Sequence, residues 1–333
     1  MRSFGTFTGD LQHLADWFER CGVRTVALES TGVYWIPAYE IPEQRGFEVV
    51  LVNARDAKHV PGRKTDISDA QWLRRLHEHG LLRASFRPKG EMAALRAYLR
   101  QRERPLDYAA SHIQPMQKAL TPMNVPLHHA VIDITGATGM RIVRAIVAGE
   151  RDPAMLAAHR DRRCHASTGA LGEALAGNGR EEHLFALGQA LALYDADQAK
   201  VADGDVRIEA VLERLRHAAA KPVGRLPPAR YRTSTANAPA FDVRAALHAL
   251  LGVDLTQIHG LGPSLALKLV GECGTDLAAW PSAKHFVSWL GLAPGNKISG
   301  AAVTVGRTQT ALGAFYRGYS RIWWMRREAA YPR

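Results

Sequence analysis

Through the first eighty residues, short apolar runs alternate with longer stretches in which apolar residues recur every three or four positions. Residues 3–8, SFGTFT, have the length and spacing of a short strand. The following LQHLADWFERC predicts an amphipathic helix with Leu11, Leu14 and Phe18 facing inward and Gly22 as its stop. VRTVALES and FEVVLVNA are the continuous apolar runs of buried strands, and between them STGVYWIPAYEIPEQRG predicts a loop and a helix. Pro61 and Gly62 then make a turn, and Thr65 or Asp66 caps a further helix whose apolar face is Ile67, Ala70, Leu73 and Leu76. The order βαβαβα predicts a largely parallel sheet with its ligand sites at the carboxyl ends of the strands.

From about Glu91 to Arg216 the period lengthens to that of long helices. Residues 91–120 carry Pro105 and Pro115 inside a helical pattern, which predicts a break or kink. Residues 181–219 keep apolar spacing for about ten turns, the pattern of a coiled coil or a helical hairpin that spaces or dimerises. Residues 222–240, rich in Pro and Arg, read as a linker, either merely solvated or tracking a phosphate backbone. Beyond it IHGLGPSLALKLVGEC resembles a helix-hairpin-helix. Gly260 and Gly262 would give a tight turn whose amides, with the next helix N-terminus, cradle a phosphate without reading bases. A plain helical hairpin is the alternative. The expected organisation is α/β plus α, with an α/β domain at 1–88, a helical coiled-coil domain at 89–221, the basic linker at 222–243 and a mainly helical domain at 244–333.

Charge narrows the function. Forty-three Lys and Arg against 32 Asp and Glu give a net charge of +11 spread along the 333 residues, which favours a polyanionic partner. Cys21, Cys164 and Cys273 are far apart and lack Cys-x-x-Cys spacing, which excludes a disulfide framework and a structural zinc site and fits a reducing cytoplasm. No run of 18 apolar residues supports membrane insertion. Asp66 and Asp69 share the first turn of their helix. Two carboxylates about 4 Å apart repel by roughly 4 kcal/mol at an effective dielectric near 20, and a hard divalent cation between them would remove the conflict. Alone, an Asp-x-x-Asp pair is more often a cap on a solvated helix end. Glu29 closes an apolar strand, so three acids can converge on one rim.

Taken together, ALESTGVYW, LVNARDAKHVPGRKTDISDAQWL, SHIQPMQKALTPMN, DITGATGMRIVRAIVAGERDP, IHGLGPSLALKLVGECGTD and WPSAKHFVSWLGLAPGNKISG resemble, in order, the bacterial insertion-sequence transposases of the IS one-ten family. The resemblance implies an RNase H/RuvC-like Asp-Glu-Asp-Asp domain at the N-terminus, a coiled-coil insertion and a C-terminal transposase domain with a serine nucleophile. Under it, Glu29, Asp66 and Asp69 are three of four catalytic acids binding Mg²⁺, and Ser299 is the serine. Arg63, Lys64, Gly260, Gly262 and Lys297 are the candidate nucleic-acid contacts. The implied partners are DNA, a structured guide RNA and further copies of the chain, as dimer or tetramer, joining acids and serine across subunits.

Three departures from the family pattern set an expectation of a truncated or decayed, defective copy. The chain begins at what corresponds to the third strand, without the family's first Asp, and neither Asp10 nor Asp16 lies in such a strand. Gly300 abuts Ala301 where the family carries a basic run, and the pattern is lost after Gly318. A RuvC-like junction-resolving or repair nuclease, which needs no serine, and a non-catalytic nucleic-acid-binding remnant are the alternatives.

Overall fold

The computed structural model describes residues 2–30, 32–53, 66–219, 224–231 and 237–292, together with two strands at 295–299 and 302–306; for those strands and for residues 66–68 it describes the backbone alone. The chain divides into two compact units, Met1–Arg87 and Pro88–Arg333.

In the first unit α1 (Thr8–Arg20) forms because Leu11, Leu14, Ala15 and Phe18 fall on one stripe, and it stops at Gly22, whose φ of 66° a residue with a side chain rarely adopts. Strands β1 (Thr25–Ser30) and β2 (Glu48–Asn53) are parallel, with Glu29 opposite Val52 and Ser30 opposite Asn53. Between them runs α2 (Trp35–Gln44), and after them α3 (Asp66–Glu78). Leu11, Ala15, Ile41 and Phe47 make the core under the sheet, with the Phe18 and Phe47 rings edge-on at 5.8 Å. The strand expected at residues 3–8 does not form, so the order is αβαβα. Gly5 interrupts the run, and Phe4 packs on Trp17 of α1 at 5.5 Å instead of on a neighbouring strand. A single antiparallel bridge, Val52 to Ala84, extends the pair.

The second unit is built on two long helices, α4 (Glu91–Leu120) and α9 (Glu181–Ala219). Ion pairs Glu91–Arg214, Arg102–Asp205 and His112–Asp197 descend one helix as they climb the other, so the pair is antiparallel. Pro105 and Pro115 do not interrupt α4, which is continuous. Each proline costs about 3 kcal/mol inside a helix. Burying Leu95, Leu99, Met116 and Leu120 contributes about 1.5–3 kcal/mol per side chain and outweighs that cost.

Each end of the pair seats a core. At one end Met116, Leu120, Leu187 and Leu191 pack with the short helices α5 (Leu127–Ala130), α6 (Ala137–Val147), α7 (Pro153–Ala157) and α8 (Thr168–Leu175). At the other, Leu95, Leu99, Ile208 and Leu212 pack with α10 (Val243–Leu251) and α11 (Pro263–Cys273). Gly271 allows α11 to lie against Leu99, where a Cβ would collide with the leucine side chain. Burial pushes the Cys273 thiol up to about 11, which makes it an inert core group. A helix α12 (Ala283–Trp289), whose Phe286 and Trp289 rings pack with Trp280, and a hairpin of β3 (Gly295–Ser299) and β4 (Ala302–Gly306) follow. No helix among the described residues is long and apolar enough to cross a membrane.

Candidate metal-acid rim and phosphate-binding hairpin

Glu29 sits one residue from the carboxyl end of β1. Its side chain is half-buried and has no hydrogen-bond or ion-pair partner among the described residues. A partly desolvated carboxylate left unpaired is costly unless something else satisfies it. The helix that brings the other acids is α3. Its far end is fixed by a 2.7 Å hydrogen bond between Thr25 Oγ1, where β1 starts, and His77 Nε2. A helix after a parallel strand returns antiparallel to it. From Thr25 to Glu29 the strand rises about 13 Å, and from His77 back to Asp69 the helix spans about 12 Å. Asp69 thus lies about two turns back along α3 from His77, and Asp66 about one turn further. Asp69 is exposed and unpaired among the described residues.

The Asp66 carboxylate, Arg63 and Lys64 lie outside the described residues. Among the described residues no group of three or more His, Cys, Asp or Glu forms a metal-sized cluster. The donors nevertheless suit a hard cation. Glu29 and Asp69 offer oxygen only, and neither is engaged, which is the chemistry Mg²⁺ takes.

Other acids of this unit behave differently. Asp10 accepts the Phe7 backbone N–H at 3.3 Å, and Asp16 and Glu19 are both bound by Arg45, whose pKa is raised chiefly by its hydrogen bond to Asp16 and then by that to Glu19. Arg87 likewise holds Glu40 and Glu43 while lying over the rings of Trp35 and Tyr39. Asp10 and Asp16 are structural.

In the second unit Gly260 has a φ of 85° and sits in a turn closed by Leu261 N–H donating to Ile258 O at 3.1 Å. Gly262 is extended, Pro263 opens α11, and no side chain caps that helix. First-turn amides such as those of Ser264 and Leu265 therefore have no helical acceptor. A 140 Å³ cavity opens beside Pro263 and Ser264, lined also by Asp242 and Arg244. It is smaller than the usual ligand pocket of several hundred Å³, so this corner suits a backbone group rather than a nucleoside.

Ser299 is the last residue of β3 and pairs with Ala302, while Lys297 pairs with Thr304. Two residues connect the strands, the shortest common hairpin connection. The side chains of Ser299 and Lys297 lie outside the described residues.

Sequence reasoning missed the group that shapes the hairpin's flank. Asp254 is buried; burial alone would raise its pKa, but hydrogen bonds from Arg244, Gln257 and Thr256 outweigh that and hold it well below the usual carboxylate range. Arg244 Nη2 also donates to Pro227 O at 2.6 Å. The D-x-T spacing of Asp254 and Thr256, a local side-chain turn, was the available signal.

Unengaged carboxylates and an uncapped helix behind a glycine turn are groups of the kind that bind metal ions and phosphates. Residues 2–124 match the transposase family DEDD_Tnp_IS110, and residues 240–316 match the transposase family IS116/IS110/IS902. The chain belongs to the IS110 family of transposases, whose substrate is DNA and whose activity is transposition by recombination. No curated protein matches it.

Proposed function

We propose that this chain is by family a DNA transposase of the kind that cuts and rejoins strands, a defective copy in which Glu29, Asp66 and Asp69 hold Mg²⁺ and Ser299 stands at the position of the nucleophile. The unengaged, half-buried Glu29 at the end of β1 is the observation that supports this most directly. Attack forms a bond between the serine Oγ and phosphorus and breaks the P–O bond to one DNA strand, whose freed oxygen takes up the proton that the serine hydroxyl gives up; the reverse reaction on a new end rejoins. A serine hydroxyl is a weak nucleophile at neutral pH and needs preorganised charge around the phosphate. Mg²⁺ at the acids supplies that charge when bound. Lys297, Arg63 and Lys64 orient the phosphate, and the Gly260–Gly262 turn holds flanking backbone.

The acids and the serine meet across subunits of a homo-oligomer, dimer or tetramer, and a structured RNA selects the target; both rest on the family resemblance. The test is a denaturing gel for a covalent protein–DNA adduct, using the full chain, Mg²⁺, the adjacent transposon RNA and a matched target. No adduct is expected from this copy as it stands, and one that forms when the family's basic run is restored between Gly300 and Ala301 and disappears in Ser299→Ala is expected. Equal cutting by Ser299→Ala with no adduct would replace this reading with that of a resolving nuclease.

A further inference from the structure

The proline- and arginine-rich segment before α10 is not simply a tether. Two bonds pin residues 227–228 to the C-terminal core, Arg244 Nη2 to Pro227 O at 2.6 Å and Gln257 Nε2 to Pro228 O at 3.1 Å. Both donors are in turn fixed by Asp254, so the anchor is preorganised by a buried ion pair. Three residues further on, the Tyr231 ring stands edge-on against His259 at 5.4 Å, and His259 is the residue immediately before Gly260 of the turn. The Arg230 guanidinium lies over the Tyr231 ring at 5.6 Å. Arg225, Arg230, Tyr231, Ile258, His259 and Gly260 are all exposed, and none of the described side chains pairs with Arg225 or neutralises Arg230.

An exposed arginine steadied on an aromatic ring, beside a glycine turn and an uncapped helix, has the chemistry of a phosphodiester contact. We infer that the segment 225–231 and the 258–262 turn form one surface that grips the backbone of duplex DNA, with Arg230 as the phosphate-binding cation and Tyr231 as its positioning residue. Duplex DNA is favoured because the hairpin offers backbone amides rather than a slot for an unstacked base. The inference rests on the DNA-processing reading above but not on its acids or serine.

Fluorescence anisotropy with the full chain and a labelled 30-base-pair duplex, over a salt series and without Mg²⁺, tests it. Log K should fall linearly with log salt, and Arg230→Ala should reduce the slope by about one. Tyr231→Ala should weaken binding about 3- to 10-fold, whereas Tyr231→Phe should bind as the parent does, because the ring and not the hydroxyl makes the contact. Arg207→Ala, an exposed arginine of α9, should leave slope and affinity unchanged. A parent that binds duplex while Arg230→Ala and Tyr231→Ala keep its slope and affinity would overturn this inference and leave the catalytic reading standing. Loss confined to a structured RNA probe would also overturn it, by assigning the surface to RNA. A parent that binds no duplex at low salt would overturn this inference and leave the catalytic reading, whose target is selected by RNA, to the adduct assay.

Discussion

The buried acids of the helical unit and the acids at the rim of the α/β unit differ in what holds them. In the helical unit the buried acids are tied to arginines: Asp205 to Arg102, Glu272 to Arg96 and Arg100, and Asp254 to Arg244. At the rim of the α/β unit, Glu29 and Asp69 are bound to nothing among the described residues, although Asp16 and Glu19 of the same unit share Arg45. A chain with 43 Lys and Arg has cations to spare, so an unpaired acid here is not a matter of supply. Paired acids hold the fold, and unpaired ones at a strand end are available to a ligand.

Neutralising acids one by one should therefore separate the two groups. The largest effect belongs to Asp205→Ala, which strands the buried Arg102 guanidinium between the long helices and removes the acceptor of the Ala240 N–H. It should cost about 4 kcal/mol, seen as a fall on the order of 10 °C in the melting temperature of that unit. A change under 1 kcal/mol would mean the pair does not hold the helices together.

Asp254→Asn comes next, at about 3 kcal/mol near pH 7. Because the folded pKa of Asp254 is depressed, its contribution is whole above about pH 5 and is lost as pH falls toward the folded value. The stability gap between parent and variant, followed by urea unfolding, should narrow below about pH 4. A gap that stays constant to pH 3 would show that the carboxylate charge is not what stabilises.

Arg45→Ala should lower the melting temperature less than either, since its partners Asp16 and Glu19 are half exposed and water can replace the guanidinium. Smallest of all, Glu29→Gln and Asp69→Asn should leave thermal stability within about 0.5 kcal/mol of the parent while abolishing Mg²⁺ binding. A large loss of stability in either would place them with the paired acids.

Local patterns made much of this readable in advance. The spacing of Leu11, Leu14 and Phe18, the stop at Gly22, the two parallel strands and the turn at Gly260 each depend on a few neighbouring residues, although β1, expected to be buried, is only half-buried along its length. Residues 3–8 misled because alternation over so short a run says nothing about a partner, and Phe4 found Trp17. Pro105 and Pro115 misled because local cost was weighed without the antiparallel partner that offsets it. Arg102–Asp205 and Tyr231–His259 join residues 103 and 28 positions apart, and no periodicity signals such pairs. At the rim, Glu29 was legible from its place at the end of an apolar strand, but its lack of a partner among the described residues emerges only in the fold.

Magnesium binding by the acids of the α/β unit tests the central claim most directly. Isothermal titration of the full chain with MgCl₂ should detect weak binding of a single ion, because three carboxylates can hold an octahedral ion that keeps several waters. The binding should vanish in Asp66→Asn/Asp69→Asn and in Glu29→Gln. Binding of the same affinity and stoichiometry in those variants would contradict the assignment of Glu29, Asp66 and Asp69 as the metal-binding acids.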